Sequence, residues 1–237
     1  ITVNSWTSGL ICAVGAVGVE PGDEVIVSPW TMCATATAIV HWCAIPVFAD
    51  IEEETFNLDP KSIKKNITEH TKAIMVPDIF GHPANIREIK KIADEHNLIL
   101  ISDTAQAPAA KEYNSFAGTD AHIGGFSFNY HKHIQTGEGG VLITNDPIYA
   151  ERMQLIRNHG EAVVEGKGVK DISNMIGYNF RMGEIEAAIG IEQLKKLDDL
   201  IYNRINIANR LTSELSKLDG IKTPIIRDGY THSFYVY

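Results

Sequence analysis

One lysine and one aspartate stand at positions where a sheet could present their side chains to a ligand. Lys132 follows the apolar run at residues 124–128, and the glycine-rich segment at residues 137–140 comes after it. Asp103 ends another apolar run, residues 98–102. Residues just past the carboxyl ends of strands face the ligand crevice of open α/β sheets. An amine that can form a Schiff base and a carboxylate that can keep a pyridine nitrogen protonated suit a pyridoxal phosphate (PLP) site.

Three motifs surround these residues and occur in a fixed order. D-x-A-Q-A stands at residues 103–107, F-S-F-x-x-x-K-x-x-x-x-G-E-G-G at residues 126–140, and G-Y-N-[aromatic]-R-M at residues 177–182. With these motifs the chain resembles the DegT/DnrJ/EryC1/StrS family of sugar aminotransferases, from about Val3 to its last residue. The resemblance implies the large domain of a fold-type I PLP-dependent transferase. It also implies more chain on both sides, with a small C-terminal domain that is largely missing here.

The resemblance gives roles around the cofactor ring to four positions. Lys132 holds PLP covalently, Asp103 pairs with the pyridine nitrogen, and Gln106 lies near the phenolic oxygen of the ring. The family usually has an aromatic residue that stacks on the ring, and Met32 takes that position here. Either the thioether of Met32 or the nearby Trp30 could cover the ring, or both could be core residues.

Other positions resemble the family's contacts to the cofactor phosphate. Thr7 and Ser8 stand at the start of an apolar helix, where free N–H groups favour an anion, and Ser127 lies in the lysine motif. In the family, the residues at Asn179 and Arg181 reach across a dimer to the phosphate of the partner's cofactor. The alternatives are ordinary helix capping at Thr7 and Ser8 and a structural ion pair for Arg181.

The two central residues also have ordinary alternatives. Most lysines are solvated surface residues, but a short strand before Lys132 and a rigid glycine turn after it argue against that interpretation. Asp103 could cap a helix that begins at Thr104, a role that is compatible with cofactor binding.

Histidines near the lysine raise the question of a metal site. His131 and His133 flank Lys132 on alternate sides of a segment that we predict to be extended, so they would not converge on one ion. No Cys or paired carboxylate completes a four-ligand set with them or with His159, and we expect no metal. Some members of the family carry His in place of the lysine and act as dehydratases. Lys132 therefore favours amino transfer.

Composition and charge restrict the class of protein. The chain has 237 residues, of which 44% are hydrophobic, enough for one large domain with a core. Its formal net charge of -9 argues against nucleic acid as a partner, because phosphate backbones attract clustered Lys and Arg. The longest apolar stretches are too short to span a bilayer, and without a signal peptide we expect a cytoplasmic protein. We interpret Cys12, Cys33 and Cys43 as small buried hydrophobic residues.

Alternating strand and helix patterns predict an α/β fold with a mainly parallel sheet between helices. No G-x-G-x-x-G follows a first strand, which argues against a nicotinamide-binding Rossmann domain. We expect residues 1–182 to form the PLP-binding large domain. Residues 183–237 are expected to hold one long linking helix, as far as Leu218, and the start of the truncated small domain. Residues 52–54 are expected to be a solvated acidic run and residues 160–170 a glycine- and charge-rich loop.

The resemblance predicts an aminotransferase of amino-sugar biosynthesis. It would move an amino group from an amino acid, with L-glutamate as the expected donor, to a keto-sugar that is expected to be linked to a nucleotide. The expected assembly is a homodimer. Two alternatives stay open: a PLP-binding regulator or scaffold without turnover, and a related PLP enzyme such as a sugar dehydratase or an inositol-ketone aminotransferase.

Overall fold

The computed structural model describes residues 1–160 and 175–237 and is built on one large sheet. The strands in chain order are β1 (Thr2–Val3), β2 (Glu24–Val27), β3 (Ile45–Phe48), β4 (Thr71–Pro77), β5 (Ile99–Asp103), β6 (Lys111–Glu112), β7 (Ser115–Phe116), β8 (Ile123–Ser127) and β9 (Gly140–Ile143). Seven of them form the sheet in the order β1-β9-β8-β5-β4-β2-β3, and β6 pairs with β7. Strands β8, β5, β4, β2 and β3 run parallel, and β9 is antiparallel to β8 and β1. The predicted mainly parallel sheet is confirmed.

Helices connect most of the strands. In chain order they are α1 (Trp6–Ala16), α2 (Cys33–His41), α3 (Pro60–Asn66), α4 (Ile86–Glu95), α5 (Pro147–Arg157), α6 (Glu184–Leu194) and α7 (Leu197–Leu215). Their starts follow ordinary capping chemistry: the side chains of Ser5, Asp59 and Asn85 accept N–H groups from the first turns of α1, α3 and α4. Asp146 caps α5 in the same way, with Pro at the first helical position as in α3.

The sheet separates two hydrophobic cores. Successive side chains of a strand point to opposite faces, and neighbouring residues of the central strands belong to different cores. Met75 and Ile101 pack with helices α1, α2 and α5, whereas Ile74 and Leu100 pack with α3 and α4. All four side chains are fully buried. Helices cover both faces of the sheet, so a ligand can reach it at the carboxyl ends of the strands.

The expected long helix at residues 183–218 is wrong, because two helices, α6 and α7, occupy this range. The backbone N–H of Lys196 bonds to the carbonyl of Gln193, and this tighter turn interrupts the regular helical ladder. The apolar face expected on this helix is largely exposed in α6, where Ile185 and Leu194 face solvent. In α7, Ile201 is buried.

Three smaller expectations are also wrong. No helix begins at Thr104 in the described chain, since residues 104–110 form turns. Cys12 is buried as expected, but Cys33 and Cys43 are exposed at the start of α2 and in the turn after it. The solvated acidic run is wrong for Glu52, whose carboxylate lies 2.8 Å from the guanidinium of Arg227 with only 15% of the side chain exposed, but Glu53 and Glu54 are exposed as expected.

Two further expectations concern the loop and the membrane. Apart from Gly160, the expected loop at residues 160–170 lies outside the described residues. Among the helices of the described residues, none has the length and apolar character needed to cross a bilayer.

Candidate active site

A cavity of about 180 Å³ lies at the carboxyl ends of β4, β5 and β8. Asp103 and Lys132 both line it, which is the juxtaposition that strand-end placement predicts. The other lining residues are Ser5, Trp6, Thr7, Thr31, Met32, Ala34, Pro77, Asp78, Ala105, Gln106, Ser127, Asn129, His131, Glu138 and Tyr235. The cavity therefore has polar groups from the sheet edge, from the start of α1, and from the last residues of the chain.

Asp103 is the last residue of β5, and its carboxylate is held by three donors. Its Oδ1 accepts hydrogen bonds from the indole Nε1 of Trp6 at 2.6 Å and from the backbone N–H of Ala105 at 3.3 Å. Its Oδ2 accepts one from the hydroxyl of Thr35 at 2.8 Å. Only 6% of Asp103 is exposed. An ionised carboxylate has about four acceptor positions, so one position remains for a donor that enters the cavity.

Lys132 follows β8 in a turn and not in the extended segment that the sequence predicted. Its backbone N–H bonds to the carbonyl of Asn129 at 2.9 Å, which closes the turn. Its ammonium lies over the ring of Tyr235, 4.3 Å from the centroid. Burial lowers the pKa of Lys132, and the nearby charge of Asp103 has a smaller effect in the opposite direction. A larger neutral fraction makes this amine a better nucleophile than an exposed lysine.

The loop that carries Lys132 is closed at its base. The backbone N–H of Phe128 donates to the carbonyl of Gly139, and the N–H of Thr136 donates to the carbonyl of Phe128. The side-chain amide of Asn129 bonds to Glu138 at 2.6 Å across the same base. The glycine-rich turn expected from the sequence is therefore the segment that returns the chain to the sheet as β9.

Tyr235 is brought to the cavity by the last residues of the chain. Its backbone N–H donates to the carbonyl of Phe80, and the N–H of Ser233 donates to the carbonyl of Gly81. The imidazole Nε2 of His133 donates to the carbonyl of Ser233 at 2.9 Å. Burial lowers the pKa of His133 to about 4, so this ring is neutral near pH 7. The residue beside Lys132 thus anchors the segment that covers Lys132.

Most of the predicted ring residues and two of the predicted phosphate residues lie at the cavity. Gln106 lines it and accepts the backbone N–H of Phe80 at 2.7 Å. Met32 lines it with 66% of its surface exposed. Ser127 and Thr7 also line it. Ser8 does not contribute a lining surface, because its buried hydroxyl donates to the side chain of Asn4. The other candidate for covering the ring, Trp30, does not line the cavity. Its ring packs near that of Phe56, with 6.3 Å between the ring centroids.

Asn179 and Arg181 do not line the cavity of their own chain. The backbone carbonyl of Asn179 accepts a weak hydrogen bond from Asn4 at 3.4 Å, and the guanidinium of Arg181 donates to the side chain of Asn158. Both residues are exposed. The alternative of a structural ion pair for Arg181 does not describe this contact, since its partner is a neutral amide.

Sequence reasoning missed three residues that touch the central pair. Trp6 and Thr35 hold Asp103, and Tyr235 covers Lys132. A buried indole normally finds an acceptor, so the tryptophan beside the helix start could have prompted a search for one. Thr35 and Tyr235 are remote in sequence from their partners and carry no local signal.

Asp78 is a second carboxylate at the cavity, and its oxygens already accept hydrogen bonds from the protein itself. It is almost fully buried and accepts hydrogen bonds from the backbone of Ala84 and the hydroxyls of Ser102 and Thr104. Burial is the main cause that raises the pKa of Asp78 to about 7. Among the described residues, no group of three or more His, Cys, Asp or Glu side chains is arranged to hold a metal ion.

The residues present fit PLP by the chemistry of the donor set. The cavity joins an amine with a lowered pKa, an acceptor-only carboxylate with one free position, and hydroxyl groups at a helix start. A larger cavity of about 610 Å³ lies beside it, between α6 and the sheet, and is lined mainly by apolar residues such as Phe128 and Ile191. Its lining lacks the lysine and aspartate pair.

Comparisons with solved structures define the fold as that of type I PLP-dependent transferases. An aminotransferase from Psychrobacter cryohalolentis superposes with a TM-score of 0.93 at 32% identity, covering 99% of this chain and 63% of that one. The Escherichia coli GDP-4-keto-6-deoxy-D-mannose-3-dehydratase with bound hydrated PLP superposes with a TM-score of 0.87 at 29% identity, covering 99% and 65%.

The chain belongs to the DegT/DnrJ/EryC1/StrS aminotransferase family, whose sequence profile matches residues 1–237. A GDP-perosamine synthase from Vibrio cholerae is 35% identical over 237 residues, which cover 99% of this chain. The match covers 63% of that synthase, so the chain spans less than two thirds of the length of this relative.

Proposed function

We propose that this chain carries the cofactor site of a PLP-dependent aminotransferase that acts on a keto-sugar. The observation that carries the proposal is one cavity at the strand ends that joins the half-buried amine of Lys132 to the fixed carboxylate of Asp103. Family membership supports the reaction, and the match to a GDP-perosamine synthase supports a nucleotide-linked sugar as the acceptor. L-Glutamate is the proposed amino donor.

The two central residues divide the chemistry between them. Bound PLP supplies an electron sink for the bond changes at the α-carbon of the donor. Lys132 would bind the cofactor covalently, and its freed amine would carry the proton from the donor α-carbon to the C4′ carbon of the cofactor, a role that its lowered pKa favours. Asp103 holds the proton on the ring nitrogen through a charge-assisted hydrogen bond.

The remaining lining residues position the cofactor in this proposal. We assign Gln106 to the phenolic oxygen, Ser127 and Thr7 to the phosphate, and the thioether of Met32 to the face of the ring. Ser8 supports the start of α1 and contributes to the phosphate site only through this helix end.

A dimer would complete the site. Asn179 and Arg181 are exposed and do not line their own cavity, which supports a role toward the phosphate in the partner subunit. Mixing Lys132→Ala subunits with Arg181→Ala subunits should then restore activity, because one of the two sites in each hybrid has both residues intact. Hybrid dimers that form and remain inactive would contradict the shared site.

A dehydratase is the alternative from the same family. The presence of a lysine at position 132, with an amine that can accept and return a proton, favours amino transfer. The proposed enzyme acts in the cytoplasm, where nucleotide-linked sugars are the expected substrates.

Absorbance of the purified full-length protein with PLP tests the proposal. Attachment of PLP to Lys132 gives a yellow chromophore, because the protonated linkage is conjugated with the ring. We expect glutamate to remove the colour and a nucleotide-linked keto-sugar to restore it, because the two half-reactions of a ping-pong mechanism can be run separately. A protein that binds PLP but keeps its colour with every amino donor would be a regulator or scaffold. A protein that does not bind PLP would refute the proposal.

A further inference from the structure

The indole of Trp6 occupies a slot that glycines leave open. Trp6 is the first residue of α1, and only 6% of it is exposed. A Cβ atom at Gly9 would lie 2.8 Å from the six-membered ring of the indole, and a Cβ atom at Gly125 would collide with the same ring. Gly125 lies in β8, beside Asp103 in the sheet. The ring therefore has little freedom to turn away from Asp103.

The indole and a threonine together leave Asp103 one free acceptor position. The indole N–H is a donor only, and together with the backbone N–H of Ala105 it occupies Oδ1. The hydroxyl of Thr35 is fully buried and donates to Oδ2, and Thr31 lies 3.0 Å behind it, within hydrogen-bond distance. The acceptor position left open is on Oδ2.

We infer that Trp6 and Thr35 are positioning residues that hold the Asp103 carboxylate for the ring nitrogen of the cofactor. The inference rests on the proposed function. Donors on both oxygens stabilise the ionised form and fix the plane of the group. The entering pyridinium N–H then meets an oriented anion, and the protein does not have to order this group when the cofactor binds.

The test compares each residue with a matched control in the full-length protein. Trp6→Phe removes the N–H and keeps an aromatic ring, and Trp42→Phe removes the N–H of another largely buried indole, which donates to the carbonyl of Ile11. Thr35→Val removes the hydroxyl, and Thr37→Val does the same on the exposed side of α2, where the hydroxyl bonds to its own helix. The dissociation constant for PLP and the thermal midpoint without PLP are measured for all four variants.

We expect Trp6→Phe and Thr35→Val each to weaken PLP binding by about 10-fold, with kcat lowered and the KM for the amino donor unchanged. Trp42→Phe and Thr37→Val should bind PLP as the wild type does, even where the thermal midpoint falls. In an Asp103→Asn background, Trp6→Phe should weaken PLP binding by only about 3-fold. The hydrogen bond from the indole to the side chain at position 103 is then no longer charge-assisted. If Trp6→Phe fails to fold, the comparison of Thr35→Val with its control Thr37→Val tests the inference.

Three results would overturn the inference. If wild type binds PLP and the variants match their controls, or if the loss from Trp6→Phe is equal in both backgrounds, Trp6 and Thr35 are packing residues and the proposed function stands. If wild-type protein does not bind PLP, the proposed function fails and this inference fails with it.

Discussion

The two groups that share the cavity are held in opposite ways. Asp103 ends a central strand, and donors from three other residues fix both of its oxygens. Lys132 lies in a turn outside the sheet, and within residues 1–160 and 175–237 its amine makes a ring contact with Tyr235 but no hydrogen bond. The carboxylate is fixed by three hydrogen bonds, whereas the amine is partly desolvated and is held by a ring contact.

The difference matches what the proposed chemistry requires. A carboxylate that pairs with a ring nitrogen acts best when it does not move, because reorganisation costs free energy. A lysine that binds the cofactor, leaves it and then carries a proton must reach more than one atom. An amine without hydrogen bonds can serve in this way only if the other partner fixes the ring. Four substitutions test the two halves of this comparison.

The largest effect is expected from the lysine. Lys132→Ala removes both the covalent attachment and the proton carrier, so amino transfer should fall by about 10⁴-fold or more. Steady-state transfer from glutamate to a keto-sugar measures the loss. Lys91→Ala, on the exposed face of α4, is the control and should retain activity. Substantial turnover by Lys132→Ala would remove the lysine from its role.

The rigid group should produce the next largest effect. Asp103→Asn keeps the shape of the side chain but cannot hold a proton on the ring nitrogen as an anion does. We expect PLP to bind and kcat to fall by about 100-fold. Single-turnover rates with glutamate measure this step. Asp94→Asn, on the exposed face of α4, provides a control, and wild-type rates in Asp103→Asn would exclude the proposed pairing.

The sequence predicted the positions of Asp103 and Lys132 better than it predicted the residues around them. Asp103 follows a strongly apolar strand, and Lys132 lies in a local motif, so both positions could be predicted without tertiary information. Trp6 could not be assigned, because its partner is 97 positions away and only the folded sheet joins them. The segment that carries Lys132 is a turn and not the predicted extended segment, because its loop is closed by hydrogen bonds between Phe128 and two residues on the returning side, Thr136 and Gly139.

In the fold, too, features with a local sequence signal could be predicted and features that depend on tertiary packing could not. Apolar runs fixed the order of strands and helices, because burial between two layers demands them. The break between α6 and α7 falls at two lysines, which are good helix formers and give no stop signal. The exposure of Cys33 likewise depends on which side of α2 faces solvent.

A smaller effect is expected when the cover of the lysine is removed. Tyr235→Ala would admit water to the amine, and because burial is the main cause of the lowered pKa of Lys132, that pKa should rise toward its ordinary value. The rate at which PLP attaches to apo-protein near neutral pH should fall by a few-fold, and its pH profile should shift upward. Tyr202→Ala, an exposed residue of α7, is the control. A downward shift would mean that the ring contact stabilises the charged amine, as a cation–π interaction does.

The smallest effect concerns the anchor beside the lysine and should appear in stability at acid pH. The unfolded chain protonates His133 near pH 6.5, whereas burial holds the folded pKa at about 4. Between these values the unfolded state binds the extra proton, so the free energy of unfolding decreases as the pH falls. From pH 7 to pH 5 this residue should account for about 2 kcal/mol of the loss.

His133→Gln should remove that contribution, because an amide can still donate to the carbonyl of Ser233 but does not titrate. Urea unfolding at pH 7 and pH 5 measures it, and His70→Gln, at an exposed position, should leave the difference between the two pH values as in wild type. His82 and His232 are buried in the same region, burial also lowers their pKa values, and they keep their own share of the acid sensitivity. An unchanged difference in His133→Gln would mean that the imidazole is protonated in the folded protein, and the segment that covers Lys132 would then be held by a charged group.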